Sequence, residues 1–298
     1  MSGEQGAREA RAVQGRQLTI VIALSGIILL VEAVGGVLSG SLALVSDAGH
    51  MLTDVLALVL SLMAVRFASL PATREKTYGY HRLEILTALV NGTLLILISA
   101  ALLFKAAHRF LAPVPIESRL MTGIALIGLL ANLAALRILS REHRSLNIKG
   151  ARMHVVGDAL SSVGVLLAGI LITATGWTRI DPIVGGLIAV VIVAGALRLV
   201  REAVDVLLEA TPAGIGCDEV TAAIGTVPGV IEVHDLHIWS ITTGLLALSG
   251  HVRVDEGRHA QADEMLNRIK QTVRDRFGIV HTTLQIESRT YQELGDVH

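Results

Sequence analysis

Two histidine–aspartate pairs with one spacing, His50/Asp54 and His154/Asp158, lie inside long apolar stretches of the chain. On a helix, residues four apart stack on one face, so each pair presents an imidazole beside a carboxylate. Two such faces brought together offer two nitrogens and two oxygens, the number and kind of ligands in a tetrahedral zinc site. Ionisable side chains at membrane depth cost about 2.5–3.5 kcal/mol each on insertion scales, so four in matched pairs point to chemistry. The spacing alone is weak. It recurs at His251/Asp255 and His259/Asp263, in polar sequence where charged residues are ordinary. The alternative use of the apolar pairs is hydrogen bonding between helices, an expensive way to hold helices together.

The elements that must carry these pairs are membrane spans. The 298-residue chain is 52% hydrophobic and 17% charged, with a mean hydropathy of +0.62. Six segments meet the roughly 20-residue requirement for a spanning helix: approximately 18–38, 42–65, 85–107, 119–139, 152–175 and 183–203. The pairs fall in the second and fifth. The first run is too long for a signal peptide and five more follow it, so it reads as an uncleaved helix. With the N-terminus inside, twelve basic residues from Arg8 to Arg152 flank the inner ends, against Lys105, Arg109, Arg119 and Arg179 outside. That asymmetry places both termini in the cytoplasm.

After about residue 207 the sequence changes to that of a soluble domain. Its pattern predicts helix 218–226, strand 230–241, strand 245–255, helix 258–277 and strand 279–287, with a turn at Thr242-Thr243-Gly244. Met265, Leu266, Ile269, Val273 and Phe277 recur at helical spacing in the second helix. This order suggests an α+β sandwich with an antiparallel sheet. The expected organisation is a tail at 1–16, a six-helix transport domain at 17–206, a cytoplasmic domain at 207–290 and a tail at 291–298.

Composition excludes several classes. A net charge of −1 argues against nucleic acid, which needs a basic face. The single cysteine, Cys217, allows no intrachain disulfide and no CxxC motif. An intramembrane metallohydrolase would need a general base and an open water position, as in H-E-x-x-H, which the chain lacks. A metal sensor merely anchored in the bilayer would need no ligands inside its spans.

The ligand types narrow the ion. Imidazole with carboxylate suits zinc, and cobalt, nickel or cadmium less exclusively, whereas manganese and magnesium prefer oxygen alone. Metal and proton compete for the imidazole lone pair, so releasing metal can bind protons, the linkage an antiporter requires. Asp47, one turn before His50, reads as polar lining of the cavity in preference to a fifth ligand. Asn91 and Asn132 are lone amides suited to hydrogen bonds between helices.

The sequence resembles the cation diffusion facilitator family, in its zinc-transporting branch of the cobalt–zinc–cadmium resistance exporter type. The matching stretches are Ser46-Asp47-Ala48-Gly49-His50-Met51-Leu52-Thr53-Asp54, Tyr78-Gly79-Tyr80-His81-Arg82-Leu83-Glu84, His154-Val155-Val156-Gly157-Asp158-Ala159-Leu160, Asp181-Pro182, and His234-Asp235-Leu236-His237-Ile238-Trp239. They are spread through residues 16–290. The resemblance implies six transmembrane helices, a ferredoxin-like cytoplasmic domain, a homodimer in a bacterial inner membrane, and zinc exchanged for protons by alternating access. It carries over His50, Asp54, His154 and Asp158 as the transport site, with zinc as cargo and no organic cofactor.

It also implies cytoplasmic metal ligands, best matched by His234, His251 and Glu287, while His259 and His281 fit less well. His234 and His237 should point to opposite faces of a regular strand, which leaves His237 a packed or hydrogen-bonded role beside Trp239. Opposite charges at Arg82 and Glu209 would lock the membrane and cytoplasmic parts together. Two departures stand out. Thr73 to Tyr80 lacks the Asp and His ligands of a second loop site, and Ser140 to Gly150 has only His143 where relatives carry a histidine-rich loop.

Overall fold

The computed structural model describes the backbone of residues 2–68, 72–139, 146–255 and 262–291, and within these ranges the side chains except at 2–18, 54, 57–68 and 146–151. The chain divides into two compact units, Met1–Val59 with Val90–Leu199, and Leu60–Leu89 with Val200–His298.

Among the described residues, six long helices occur in order: α1 (Ser2–Ser39), α2 (Leu42–Ala68), α3 (Leu83–Leu111), α4 (Ser118–Leu139), α5 (Leu146–Thr175) and α6 (Ile180–Leu207). Among the described residues, five stretches are long and apolar enough to cross a membrane: Thr19–Ser39, Leu83–Leu111, Ser118–Leu139, Arg152–Thr175 and Ile180–Leu207. The second expected span corresponds to α2, whose side chains from 57 onward lie outside the described residues. Large apolar side chains point outward along these helices, among them Val37, Leu38, Leu97, Leu130 and Leu187. So much exposed apolar surface suits lipid and not water.

In the first unit, Ala43 and Leu44 of α2 pack with Met121, Ile124 and Ala125 of α4 and Val165, Ala168 and Ile172 of α5. A second cluster joins Leu42 to Leu102 and Ala106 of α3 and Ala189 of α6. Small residues let these helices approach closely. A Cβ at Gly185 of α6 would lie 3.1 Å from the backbone nitrogen of Ala43.

The start of α2 is fixed by a buried charge. Asp181, at the head of α6, accepts from Ser41 Oγ at 2.6 Å, Leu42 N at 2.8 Å and Ala43 N at 3.1 Å. The first amides of a helix have no intrahelical acceptor, and a carboxylate there satisfies them while complementing the helix dipole. His50 lies about two turns further on, so its height along α2 is set by this cap.

In the second unit, α7 (Cys217–Gly225), β1 (Val230–Thr242), β2 (Leu245–Val254), α8 (Ala262–Phe277) and β3 (His281–Ser288) follow α6. The sheet order is β1-β2-β3. β1 and β2 form the expected hairpin, with Gly244 at φ +76° in its turn. The expectation of a wholly antiparallel sheet is corrected, because β3 runs parallel to β2, Ala247 facing His281 and Val254 facing Ser288. The intervening helix returns the chain to the same end of the sheet, which makes β3 parallel. Met265, Ile269 and Val273 of α8 are buried with Val220 and Ile224 of α7 and with Ile238, Leu248 and Val252 of the sheet.

Candidate metal centres

The intramembrane cluster joins α2 and α5. Ligand atoms of His50, His154 and Asp158 lie within 4.8 Å of one another. His154 Nε2 stands 3.6 Å from Asp158 Oδ2 within α5, as the spacing of four requires. His50 Nε2 approaches the same carboxylate from α2, 3.9 Å from Oδ1. Asp158 is almost fully buried, whereas the two imidazoles are partly open. Asp54 lies on α2 one turn beyond His50, and its side chain lies outside the described residues. Two imidazoles converging on one buried carboxylate form a donor set for a borderline divalent cation.

Supporting contacts hold the two helices at this separation. Asp47 is buried and accepts a hydrogen bond from Ser161 Oγ at 2.6 Å. Thr53 Oγ1 donates to the backbone oxygen of His50 at 2.6 Å. On the far side of α5, Asn132 of α4 donates to Ser162 Oγ at 3.2 Å, an interhelical use of its lone amide.

One acidic residue escaped the sequence reading. Glu32 of α1 is 1% exposed in the middle of an apolar span. It belongs to no paired motif. A lone carboxylate inside a spanning segment is nonetheless a signal of function by cost alone.

The second cluster lies in the sheet. His234 of β1 and His251 of β2 face each other in register, with ring centroids 5.4 Å apart. Glu287 of β3 reaches both, 3.3 Å from His234 Nε2 and 2.9 Å from His251 Nδ1, and its side chain is almost wholly buried. Among the described residues, the His234 ring nitrogens make no hydrogen bond. Such a donor set, two imidazoles around a buried carboxylate, fits a zinc ion.

A register shift between His234 and His237 interrupts the alternation assumed from sequence, and Asp235 adopts φ +49° there. The bulge aims the Asp235 carboxylate at His237 Nε2, 3.0 Å away, and within 3.9 Å of His251 Nε2. His237 is therefore held by Asp235 and stands outside the three-residue cluster. His281 meets Tyr78 at 3.5 Å, also apart from the cluster, and His259 lies outside the described residues.

Arg82 donates to Glu209 at 2.6 Å, but the two side chains are 40% and 54% exposed. A pair so open contributes about 0–1 kcal/mol. The same segment is held by Thr242 Oγ1, which donates to Glu84 Oε2 at 2.6 Å.

Long lipid-suited helices, an imidazole–carboxylate cluster between two of them, and an appended α+β domain with a second cluster define a multi-pass membrane protein with sites fit for cations. The chain belongs to the cation efflux family: the Cation efflux transmembrane domain matches residues 18–208, and the Cation efflux protein, cytoplasmic domain, matches 212–289. It is similar to the Metal cation efflux system protein CzcD of Cupriavidus metallidurans, 42% identical over 91% of this chain and 86% of that one. It is 39% identical to the Cadmium, cobalt and zinc/H(+)-K(+) antiporter of Bacillus subtilis, over 88% and 86% of the two chains. With the Zinc transporter ZitB of Escherichia coli it shares 38% identity, over 91% and 87%.

Proposed function

We propose that this protein exports zinc from the cytoplasm in exchange for protons, with cadmium, cobalt and nickel as alternative cargo. The observation that carries the reading is the convergence of His50, His154 and Asp158 on one point between α2 and α5. Asp54 completes the shell as the fourth ligand, and Asp47 lines the cavity beside it. Two nitrogens and two oxygens replace the hydration shell of the ion, while the tetrahedral geometry disfavours magnesium and calcium.

Zinc binding needs neutral imidazole and ionised carboxylate, so proton and metal occupy the site alternately. A site that opens to one side at a time converts this competition into exchange. No covalent step is required, so the protein is a secondary transporter and not an enzyme, with no organic cofactor. Relatives named for zinc, cadmium and cobalt transport, one of them for exchange with protons and potassium, support this assignment.

In this reading six helices span a bacterial inner membrane with both termini in the cytoplasm. The transport domain covers residues 17–206, and residues 207–290 form a ferredoxin-like domain that pairs two copies of the chain. His234, His251 and Glu287 bind a regulatory zinc there, and Arg82 with Glu209 links the start of span three to the chain after span six.

Sealed vesicles bearing the purified protein test the assignment. Zinc should accumulate with the intact chain, and Asp54→Ala or Asp158→Ala should reduce the rate at least tenfold while leaving a folded protein. Transport near the intact rate in either variant would remove the site from these residues.

A further inference from the structure

We propose that Glu32 carries one further proton of the transport cycle, beyond those exchanged at the metal's own ligands, and releases it when zinc arrives. The proposal rests on the exchange of zinc for protons described above.

The geometry starts with isolation. Glu32 sits within the Thr19–Ser39 span, 1% exposed, and both carboxylate oxygens are buried without a hydrogen-bond partner among the described residues. An unpartnered ionised carboxylate in such a place costs several kcal/mol, so the group must hold a proton or sit within reach of a cation. Packing alone would be better served by leucine or glutamine.

The fold also makes room for it. Gly128 of α4 faces the carboxyl, and a Cβ there would lie 2.4 Å from Glu32 Oε1 and 3.6 Å from Ser162 Oγ. The carboxyl therefore occupies space that a side chain at 128 would contest. That space borders α5 one turn beyond Asp158, on the side where Asn132 holds Ser162.

Among the described residues, the charges acting on Glu32 are Asp47 of α2 and Asp158 of α5, both acidic. α4 brings uncharged Gly128 against it. A dication held by His50, His154 and Asp158 offsets these negative charges and so favours the carboxylate more than the empty site does. The O–H bond then breaks heterolytically, the electron pair stays on Glu32 and the proton passes to water. When zinc leaves, Glu32 takes a proton back. One proton per zinc is thus added to those exchanged at the ligands, without competing for a ligand lone pair.

Full-length protein in proteoliposomes, with zinc and pH dyes inside, decides the matter. Zinc affinity at the intramembrane site is measured in parallel by calorimetry on a His234→Ala/His251→Ala background. Glu32→Gln should bind zinc within about threefold of the parent but move about one proton fewer per zinc, with a flatter pH dependence of rate. Glu32→Asp should restore the proton count. Gly128→Ala should displace the carboxyl, whose end is flexible, and lower the count while zinc binding persists.

An unchanged proton-to-zinc ratio in Glu32→Gln would overturn the proposal, and so would loss of zinc binding, which would make Glu32 a ligand or a folding element. An intact protein that moves zinc but no protons fails the exchange reading itself, a different result from a coupled parent with a coupled Glu32→Gln. If Glu32→Gln does not fold, infrared difference spectra of the parent decide. A buried carboxylic-acid C=O band should fall on adding zinc and shift in Gly128→Ala, and a band unmoved by zinc overturns the assignment.

Discussion

Ser161 donates its hydroxyl proton to Asp47 across 2.6 Å, tying α5 to α2 one turn from Asp158 and one turn from His50. The bond spans the two helices that carry the ligands, so it sets the distance over which zinc must be held. Ser161→Ala leaves a buried carboxylate without its donor, a cost of about 1–3 kcal/mol. Zinc affinity should fall roughly five- to 150-fold if the helices separate, in line with that cost. Asp47→Asn keeps an acceptor for Ser161 and should retain most of the affinity. Calorimetric titration of both variants checks this, and a loss in Asp47→Asn as large as in Asp158→Ala would make Asp47 a ligand instead of lining.

Asp181 should matter for stability more than for ligation. It satisfies Ser41, Leu42 and Ala43 together while fully buried. Asp181→Ala removes a helix cap and orphans buried donors, a loss of about 2 kcal/mol or more. Thermal unfolding in detergent should fall by several degrees and zinc affinity with it, because His50 hangs from the freed end of α2. Unchanged melting would mean that the lipid-packed helix holds its position without the cap.

Replacing His50 with Asp makes the shell richer in oxygen and harder. The ratio of zinc to manganese uptake in vesicles should drop, because carboxylate ligands suit manganese better than imidazole does. An unchanged ratio in a variant that still transports would place selectivity elsewhere.

What the sequence revealed and what it hid divide along physical lines. The pairing of His154 with Asp158 is a local consequence of helical spacing, so it was legible at once, as was the apolar length of the spans. His50 joining them required only that two matched faces meet. The role of Asp181 was not legible, because its partners lie about 140 residues away and it acts through backbone amides. Glu32 stood alone in an apolar run, and its surroundings depend on a glycine from another helix. In the sheet, alternation misplaced nothing at His234, but the bulge at Asp235 changed what His237 meets. The parallel course of β3 follows from a tertiary return through α8, which no residue pattern within the strand announces.

The central claim is that zinc and protons pass through one site in opposite directions. The direct measurement is zinc flux in proteoliposomes under an imposed proton gradient, with lumenal pH recorded at the same time. A gradient should accelerate zinc in the direction opposite to proton flow, zinc movement should itself change lumenal pH, and a variant lacking Asp54 and Asp158 should do neither. Zinc flux through the intact protein that ignores the gradient and moves no protons would show a uniporter or a channel, and would contradict the account.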